Sequence, residues 1–321
     1  MLMPEQPNIL SDILDVITTD ENPDNTYDRD ILKKNIAHLQ QQKLNVLFVG
    51  ATGVGKSSTI NAIFNTEVAK VGYSVSPETA SIEKYEINNI VLWDTPGLGD
   101  SPENDQRYAQ QIANALRLTD SNGDLVIDEV VVLIDGSNRD MKTAYEIIEN
   151  LVIPYIDDKK RIIIAINQCD MLMKGHYWDY SNNEPMPRLM SELDNKVLSV
   201  ENRIYSSTGI RITPIYYSAL HRYNISKFLL TMMRNMPENK RFLLADSLNK
   251  NPDIWKKNDD IENYNTEIQK EVKLSITHAL SGAAKGAMAG ATVGSFIPVI
   301  GTAVGAAVGA ALGFLGGLLG M

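Results

Sequence analysis

Cysteine is almost missing from this chain of 321 residues. Cys169 stands alone, which excludes an intramolecular disulfide framework and a cysteine-rich metal site. Basic charge is also short: 30 Lys and Arg against 40 Asp and Glu leave a net charge of -10. A general coat for nucleic acid carries a basic excess, so that role is not expected, although a local basic patch for structured RNA stays open. The opening residues Met1-Leu2-Met3-Pro4-Glu5 carry no basic run followed by an apolar stretch, so no secretory leader is read there. Both features fit a reducing, cytoplasmic setting. What is present is ordinary globular material, 44% apolar and 22% charged, enough to build a sizeable core. Charge then vanishes altogether from residues 286–321, and eleven of the 21 glycines lie beyond Leu280.

Residues 1–43 read as a helical lead-in, broken at Asn22-Pro23-Asp24-Asn25, with Ile31, Ile36 and Leu39 at helical spacing in its second part. From residue 44 the pattern changes. Short β-branched runs at 44–49, 90–93, 130–134, 161–166 and 212–217 alternate with helix-like stretches at 56–64, 104–118, 141–151, 189–205 and 226–236. Residues 81–87 read as a weaker edge strand. Strands that alternate with helices predict βαβ units, and runs apolar on both faces predict a sheet covered on both sides. The expected fold is a three-layer α/β domain over 44–237 with a mostly parallel six-stranded sheet. Residues 238–278 read as a polar linker and a helix from about Ile261, and 279–321 as a C-terminal helical hairpin.

Gly50-Ala51-Thr52-Gly53-Val54-Gly55-Lys56-Ser57 is a Gly-x4-Gly-Lys-Ser phosphate-binding loop placed after a strand and before a helix. Backbone N–H groups from Gly50, Gly53, Val54 and Gly55, continuing to Ser58, wrap phosphates, and the helix N-terminus adds a positive field. Lys56 is expected at the β- and γ-phosphates and Ser57 on Mg²⁺. Asp94-Thr95-Pro96-Gly97 closes the run 90–93: Asp94 is placed to hold Mg²⁺ and the Gly97 amide to sense the γ-phosphate. Asn167-Gln168-Cys169-Asp170 follows the run 161–166, where a carboxylate can accept from N1–H and the 2-amino group of guanine. Adenine offers no such donor pair. Ser218-Ala219 follows 212–217, where a backbone amide can meet guanine O6.

These elements, in this order, resemble the guanine-nucleotide domain of translation-factor-class GTPases. The wording GATGVGKSSTINAIFN and VLWDTPGLGD is most similar to the Era/septin-like branch and the bacterial 50S ribosome-binding GTPases, over about residues 44–237. The resemblance implies a P-loop GTPase that binds GTP and GDP with Mg²⁺ and hydrolyses GTP. It also implies that Thr79, in Ser76-Pro77-Glu78-Thr79, is the switch threonine on Mg²⁺ and the γ-phosphate, with Ser76 and Ser81 as rivals. Two positions depart from the pattern. Gln168 replaces a lysine whose stem lies along the base, and Leu98 follows Gly97 where some GTPases place a water-orienting glutamine. A leucine cannot orient water, so slow unaided hydrolysis is expected. Relatives of this kind complete the site by pairing two G domains or by binding potassium, and Gly53 disfavours the potassium route. Arg107 and Arg139 are candidates for a finger in trans, each read first as a solvated surface charge.

His38, His176, His221 and His278 show no metal-ligand spacing. In the tail, glycines recur at 282, 286, 290 and 294 and at 301, 305, 309, 313 and 317, on either side of Pro298. Glycine costs about 1 kcal/mol in a helix relative to alanine, so a four-residue ladder implies close helix–helix approach. Each arm is near the length that crosses about 30 Å of hydrocarbon. A membrane-associated hairpin on a cytoplasmic GTPase is the favoured reading. A ribosome- or RNA-associated GTPase with a soluble tail, and a membrane-remodelling or pore-forming GTPase, are its rivals.

Overall fold

A computed structural model describes residues 10–11, 13–14, 29–64, 82–99, 101–247, 267–268 and 270–276. Thr79, Ser76, Ser81 and the glycine-laddered tail 279–321 lie outside the described residues.

Strand β1 (Leu44–Gly50) shows why the sheet is central: its side chains alternate between two apolar cores. Leu44, Val46 and Phe48 enter one and Leu47 and Val49 the other, all with no measurable exposure. Period-2 geometry sends neighbours to opposite faces, so a strand apolar at every position must be covered on both. β1 pairs in parallel with β3 (Ile90–Asp94) and with β4 (Glu129–Asp135). The full order is β2-β3-β1-β4-β5-β8, with β5 at Ile162–Asn167 and β8 at Ile215–Tyr216. Only β2 (Glu83–Ile87) runs antiparallel, and it forms one edge. The mostly parallel six-stranded sheet expected from the alternating pattern is therefore present.

Helix α1 (Arg29–Gln40) buries Ile36 and Leu39 in the first core. α2 (Lys56–Ile63) starts at the end of β1 through the phosphate loop, and α3 (Pro102–Leu116) returns the chain from β3 to β4. α3 has a full start signal: the Ser101 hydroxyl accepts from the Asn104 amide at 3.3 Å, proline occupies the first turn, and Glu103 and Asp105 oppose the dipole. α4 (Lys142–Glu146) passes into a π-helical turn, Ile147–Val152, and Pro154 then ends it in a short 3-10 turn. α5 (Pro187–Thr208) and α6 (Ile225–Asn235) flank β8.

Three expectations are corrected. The run 212–217 pairs only at Ile215–Tyr216. Pro214 has no N–H to give to a ladder, and the Thr213 hydroxyl instead donates to Glu201 at 2.8 Å. A small hairpin, β6 (Trp178–Asp179) with β7 (Glu184–Pro185), stands before α5, where no strand was read. The polar stretch after 237 is not all linker. Glu238–Ser247 forms a 3-10 segment that buries Phe242, Leu243 and Leu244 in the first core, beside Ile268, Val272 and Ile276.

Candidate functional site

The carboxyl ends of β1, β3 and β5 bring the sequence motifs to one edge of the sheet, where ligands of open α/β sheets bind. After Gly50 the chain turns through Gly53 and Gly55, both with positive φ (77° and 91°), into α2. Gly55 is the N-cap and offers no side chain, so the first-turn amides are not satisfied by a capping group. A Cβ at Gly55 would sit 2.4 Å from Asn167 Nδ2, so glycine is required here by space as well as by φ. Lys56, 9% exposed, folds its ammonium back over the loop toward the carbonyls of Gly50 (3.4 Å) and Ala51 (3.2 Å).

The segment after β3 is zipped onto this loop. The Leu98 amide donates to the Gly50 carbonyl (3.3 Å) and the Thr52 amide to the Leu98 carbonyl (3.1 Å). Gly97 lies so close to Thr52 that an added Cβ would stand 2.4 Å from its Cα. Asp105, from the first turn of α3, accepts the Gly99 amide at 2.8 Å and fixes the far end of the segment. The Leu98 side chain is buried in the second core.

At the metal-side corner, the Ser57 hydroxyl donates to Asp94 Oδ2 at 2.9 Å. Asp94 Oδ1 is buried with no partner among the described residues. Burial raises the Asp94 carboxyl above its ordinary value, opposed by the Lys56 charge and the Ser57 hydrogen bond. A serine hydroxyl and a carboxylate with an orphaned oxygen are hard oxygen donors of the kind Mg²⁺ selects, so these residues fit the ion. The third expected ligand, Thr79, lies outside the described residues.

At the other end of the cleft, Asn167 acts as a tie. Its Nδ2 donates to the Val54 carbonyl (2.9 Å), and its Oδ1 accepts the Ala219 amide (3.0 Å). The loop after β5 is thereby bound both to the phosphate loop and to the loop after β8. The Ala219 amide, expected to meet guanine O6, is engaged by Asn167 in this structure. Ser218 is buried, exchanges backbone hydrogen bonds with Tyr223 and lines the cleft. Gln168 adopts a left-handed backbone (φ 58°) and donates from Nε2 to the Gly53 carbonyl at 3.1 Å. Cys169 is fully buried in the second core, a small packing residue. Asp170 is 3% exposed, and its Oδ1 is buried with no partner among the described residues. Native proteins rarely leave a buried carboxylate oxygen unpaired, so such an atom beside a cleft marks a place for a donor from outside the protein.

The cleft between these ends has a volume of about 490 Å³. It is lined on the loop side by Gly53, Gly55 and Ser58, and on the base side by Asn167, Gln168 and Asp170. Gly50, Lys56, Ser57, Asp94 and Gly97, the residues expected at phosphate and metal, come together beside it. Residues missed as site elements include Asn61, which lines the cleft, and Arg222, which lines it too, with His221 beside Asp170. The signal for the last two was their place directly after Ser218-Ala219-Leu220. Arg107 is exposed and donates to Asn104 within α3 at 3.3 Å, which suits a surface charge.

The sequence profile of the AIG1 family matches residues 44–210. Among curated proteins, the chain is similar to GTPase Der of Deinococcus deserti, 24% identical over 69% of this chain and 44% of that protein. It is also similar to the tRNA modification GTPase MnmE of Marinomonas, 24% identical over 57% of this chain and 39% of that protein. The chain thus spans less than half the length of these two relatives. Among solved structures it is similar to Era of Aquifex aeolicus bound to GDP and AlF4-, at 20% identity over 61% of this chain and 58% of that one, with a TM-score of 0.38. The family profile that matches is thus AIG1, where the motifs alone resembled the Era/septin-like branch.

Proposed function

This chain belongs to the AIG1 family, and on that footing we propose that it is a Mg²⁺-dependent GTP-binding protein that hydrolyses GTP to GDP and phosphate, acting as a nucleotide switch. The observation that carries the reading is the buried, unpartnered Oδ1 of Asp170 at one end of a cleft whose other end is a phosphate loop. The phosphate-loop amides and Lys56 hold the phosphate chain, and Asn167 keeps the base loop in register with them. Asp170 accepts the guanine N1–H and 2-amino donors, a pair adenine lacks. Ser57 and Asp94 hold Mg²⁺, which when bound neutralises charge on the phosphate oxygens.

Hydrolysis by one chain alone is proposed to be slow. The Leu98 side chain is packed into the core, and its backbone is spent on the phosphate loop, so this position supplies no group to orient water. Full activity then requires a second G domain or another partner. Membrane attachment through 279–321 is part of the same proposal, supported by the uncharged, glycine-laddered sequence there. No helix among the described residues is long and apolar enough to cross a membrane. As a separate part of the proposal, the body lies in the cytoplasm, on the inner face of the membrane.

Equilibrium binding of labelled GTP, GDP and ATP to the full chain with Mg²⁺ tests the core of the reading. Guanine nucleotides should bind in preference to ATP, and Asp170→Asn should move the preference toward xanthine nucleotides. Equal affinity for ATP, or an unchanged preference in the variant, overturns the guanine assignment. Release of all protein from membranes by alkaline carbonate overturns integral insertion of the tail.

A further inference from the structure

Asp170 carries the base reading proposed above, and among the described residues its carboxylate has one ionic neighbour, an imidazole. His221 Nε2 stands 3.6 Å from Asp170 Oδ2, the carboxylate oxygen opposite the unpartnered Oδ1. His221 itself is not among the residues lining the cleft, although its neighbours Leu220 and Arg222 are.

The surroundings of His221 are built. Its amide donates to the Ser218 hydroxyl at 3.1 Å, and its carbonyl accepts from Asn183 Nδ2 at 2.8 Å. Its ring packs 5.3 Å from the Trp178 ring and 5.8 Å, edge to face, from Tyr180. Trp178 belongs to β6, Asn183 stands just before β7, and Tyr180 sits in the turn between them. The turn is itself closed by Asp179, whose Oδ1 accepts the amides of Ser181 (2.8 Å) and Asn182 (3.1 Å). The β6–β7 hairpin therefore packs against the ring of His221 and bonds its carbonyl.

We propose that His221 is a positioning residue for guanine recognition: its Nε2, 3.6 Å from Asp170 Oδ2 and just beyond hydrogen-bond length, closes on that oxygen when the base binds, so that Oδ1 is presented to the base. The inference rests on the guanine reading of Asp170. A carboxylate turned about its Cβ–Cγ bond can still accept one hydrogen bond, but it reads two adjacent donors only when both oxygens are set in the base plane. Holding one oxygen from the protein side fixes that rotation. The quantity governed by His221 is thus the discrimination between guanine and a base with N1–H but no 2-amino group, rather than nucleotide binding as such.

The test uses displacement of a fluorescent GDP from full-length protein by GDP, IDP and ADP. Hypoxanthine in IDP keeps N1–H and lacks the 2-amino group, and ADP lacks both donors. His221→Phe keeps a ring against Trp178 and removes the N–H, whereas His221→Gln loses the ring and keeps a donor. The GDP-to-IDP affinity ratio should fall about tenfold in H221F, about the discrimination carried by one charge-assisted hydrogen bond. It should stay within about twofold of wild type in H221Q. The reverse pattern assigns the residue to packing alone and overturns the proposal. An unchanged ratio in both variants, or an equal loss in both, overturns it as well. Failure of the parent reading looks different: wild-type protein that binds ADP as well as GDP removes the guanine assignment and this proposal with it.

Discussion

Gln168 Nε2 donates to the carbonyl oxygen of Gly53 at 3.1 Å, so the loop that follows β5 is latched to the loop that follows β1. The position is where the resembled GTPases carry a lysine lying along the base, and the amide keeps a bridge across the cleft without a charge. Asn167 makes a second bridge to the Val54 carbonyl, one residue further along. Two neutral side chains from the base motif thus secure consecutive carbonyls of the phosphate loop.

Gln168→Ala should weaken GDP and GTP binding about fivefold, near the net value of roughly 1 kcal/mol for one partly exposed hydrogen bond. Guanine preference over ATP should persist, because Asp170 is untouched. Isothermal titration with the two nucleotides checks both parts, and a lost base preference would show that Gln168 itself reads the base.

Lys56→Ala should lower affinity for GTP by at least about a hundredfold, since the ammonium supplies the charge facing the phosphates. Its ammonium reaches the loop carbonyls of Gly50 (3.4 Å) and Ala51 (3.2 Å), both long for hydrogen bonds. Melting of the nucleotide-free protein should therefore move by no more than a few degrees. A collapse of stability together with binding would mean the lysine is chiefly a structural clamp.

Gly97→Ala should separate the segment after β3 from the phosphate loop. The new methyl would stand 2.3 Å from Thr52 Oγ1 and 2.5 Å from the Thr52 amide nitrogen, distances that force backbone movement. The expected cost is about 1–3 kcal/mol of stability, with loss of nucleotide binding. Denaturant unfolding and nucleotide titration on the same sample check it, and a variant that melts and binds as wild type would disprove the close approach.

Glu129 offers a pH test remote from the nucleotide. It is fully buried at the start of β4, both carboxylate oxygens lack a partner among the described residues, and Asp128 is its chain neighbour. Burial first, and the Asp128 charge second, push its carboxyl well above the ordinary value, with Arg161 opposing. The folded state therefore holds this proton more tightly than the unfolded chain does. That stabilising contribution is complete below the unfolded value of 4.5 and is lost as pH rises through the folded value. Glu129→Gln cannot ionise, so it should be more stable than wild type near pH 8, by an amount on the order of 1–2 kcal/mol, and about equal to it near pH 4. Urea melts across that range check the sign, and parallel curves for the two proteins would contradict it.

The sequence was most readable where one residue type does one job. β1 from Val46 to Val49 and β5 from Ile162 to Ile166 are apolar runs, and their ends carry the phosphate and base motifs as expected. The order of strands in the sheet was not legible, because pairing depends on long-range packing rather than on any local run. β8 was overread because Ile212, Thr213 and Pro214 look like strand formers until the missing proline N–H is counted. The stretch 238–247 was underread, because a polar average concealed the Phe242-Leu243-Leu244 triplet that fills a core. His221 stayed hidden for a similar reason: it has no ligand spacing along the chain, and its relation to Asp170 is made only by folding.

Residues 267–268 and 270–276, which precede the uncharged tail, are helical and fastened to the body rather than strung from it. Arg234 reaches Glu267 at 2.8 Å and Glu271 at 3.4 Å, and Arg241 reaches Glu271 at 2.6 Å. The Ser275 hydroxyl accepts the Phe242 amide and donates to the Glu238 carbonyl. The helix that ends the described residues at Ile276 is therefore held at a set point on the body. A load reaching Ile276 would pass into the domain through the Arg234 and Arg241 ion pairs, and so into α6 and the 3-10 segment.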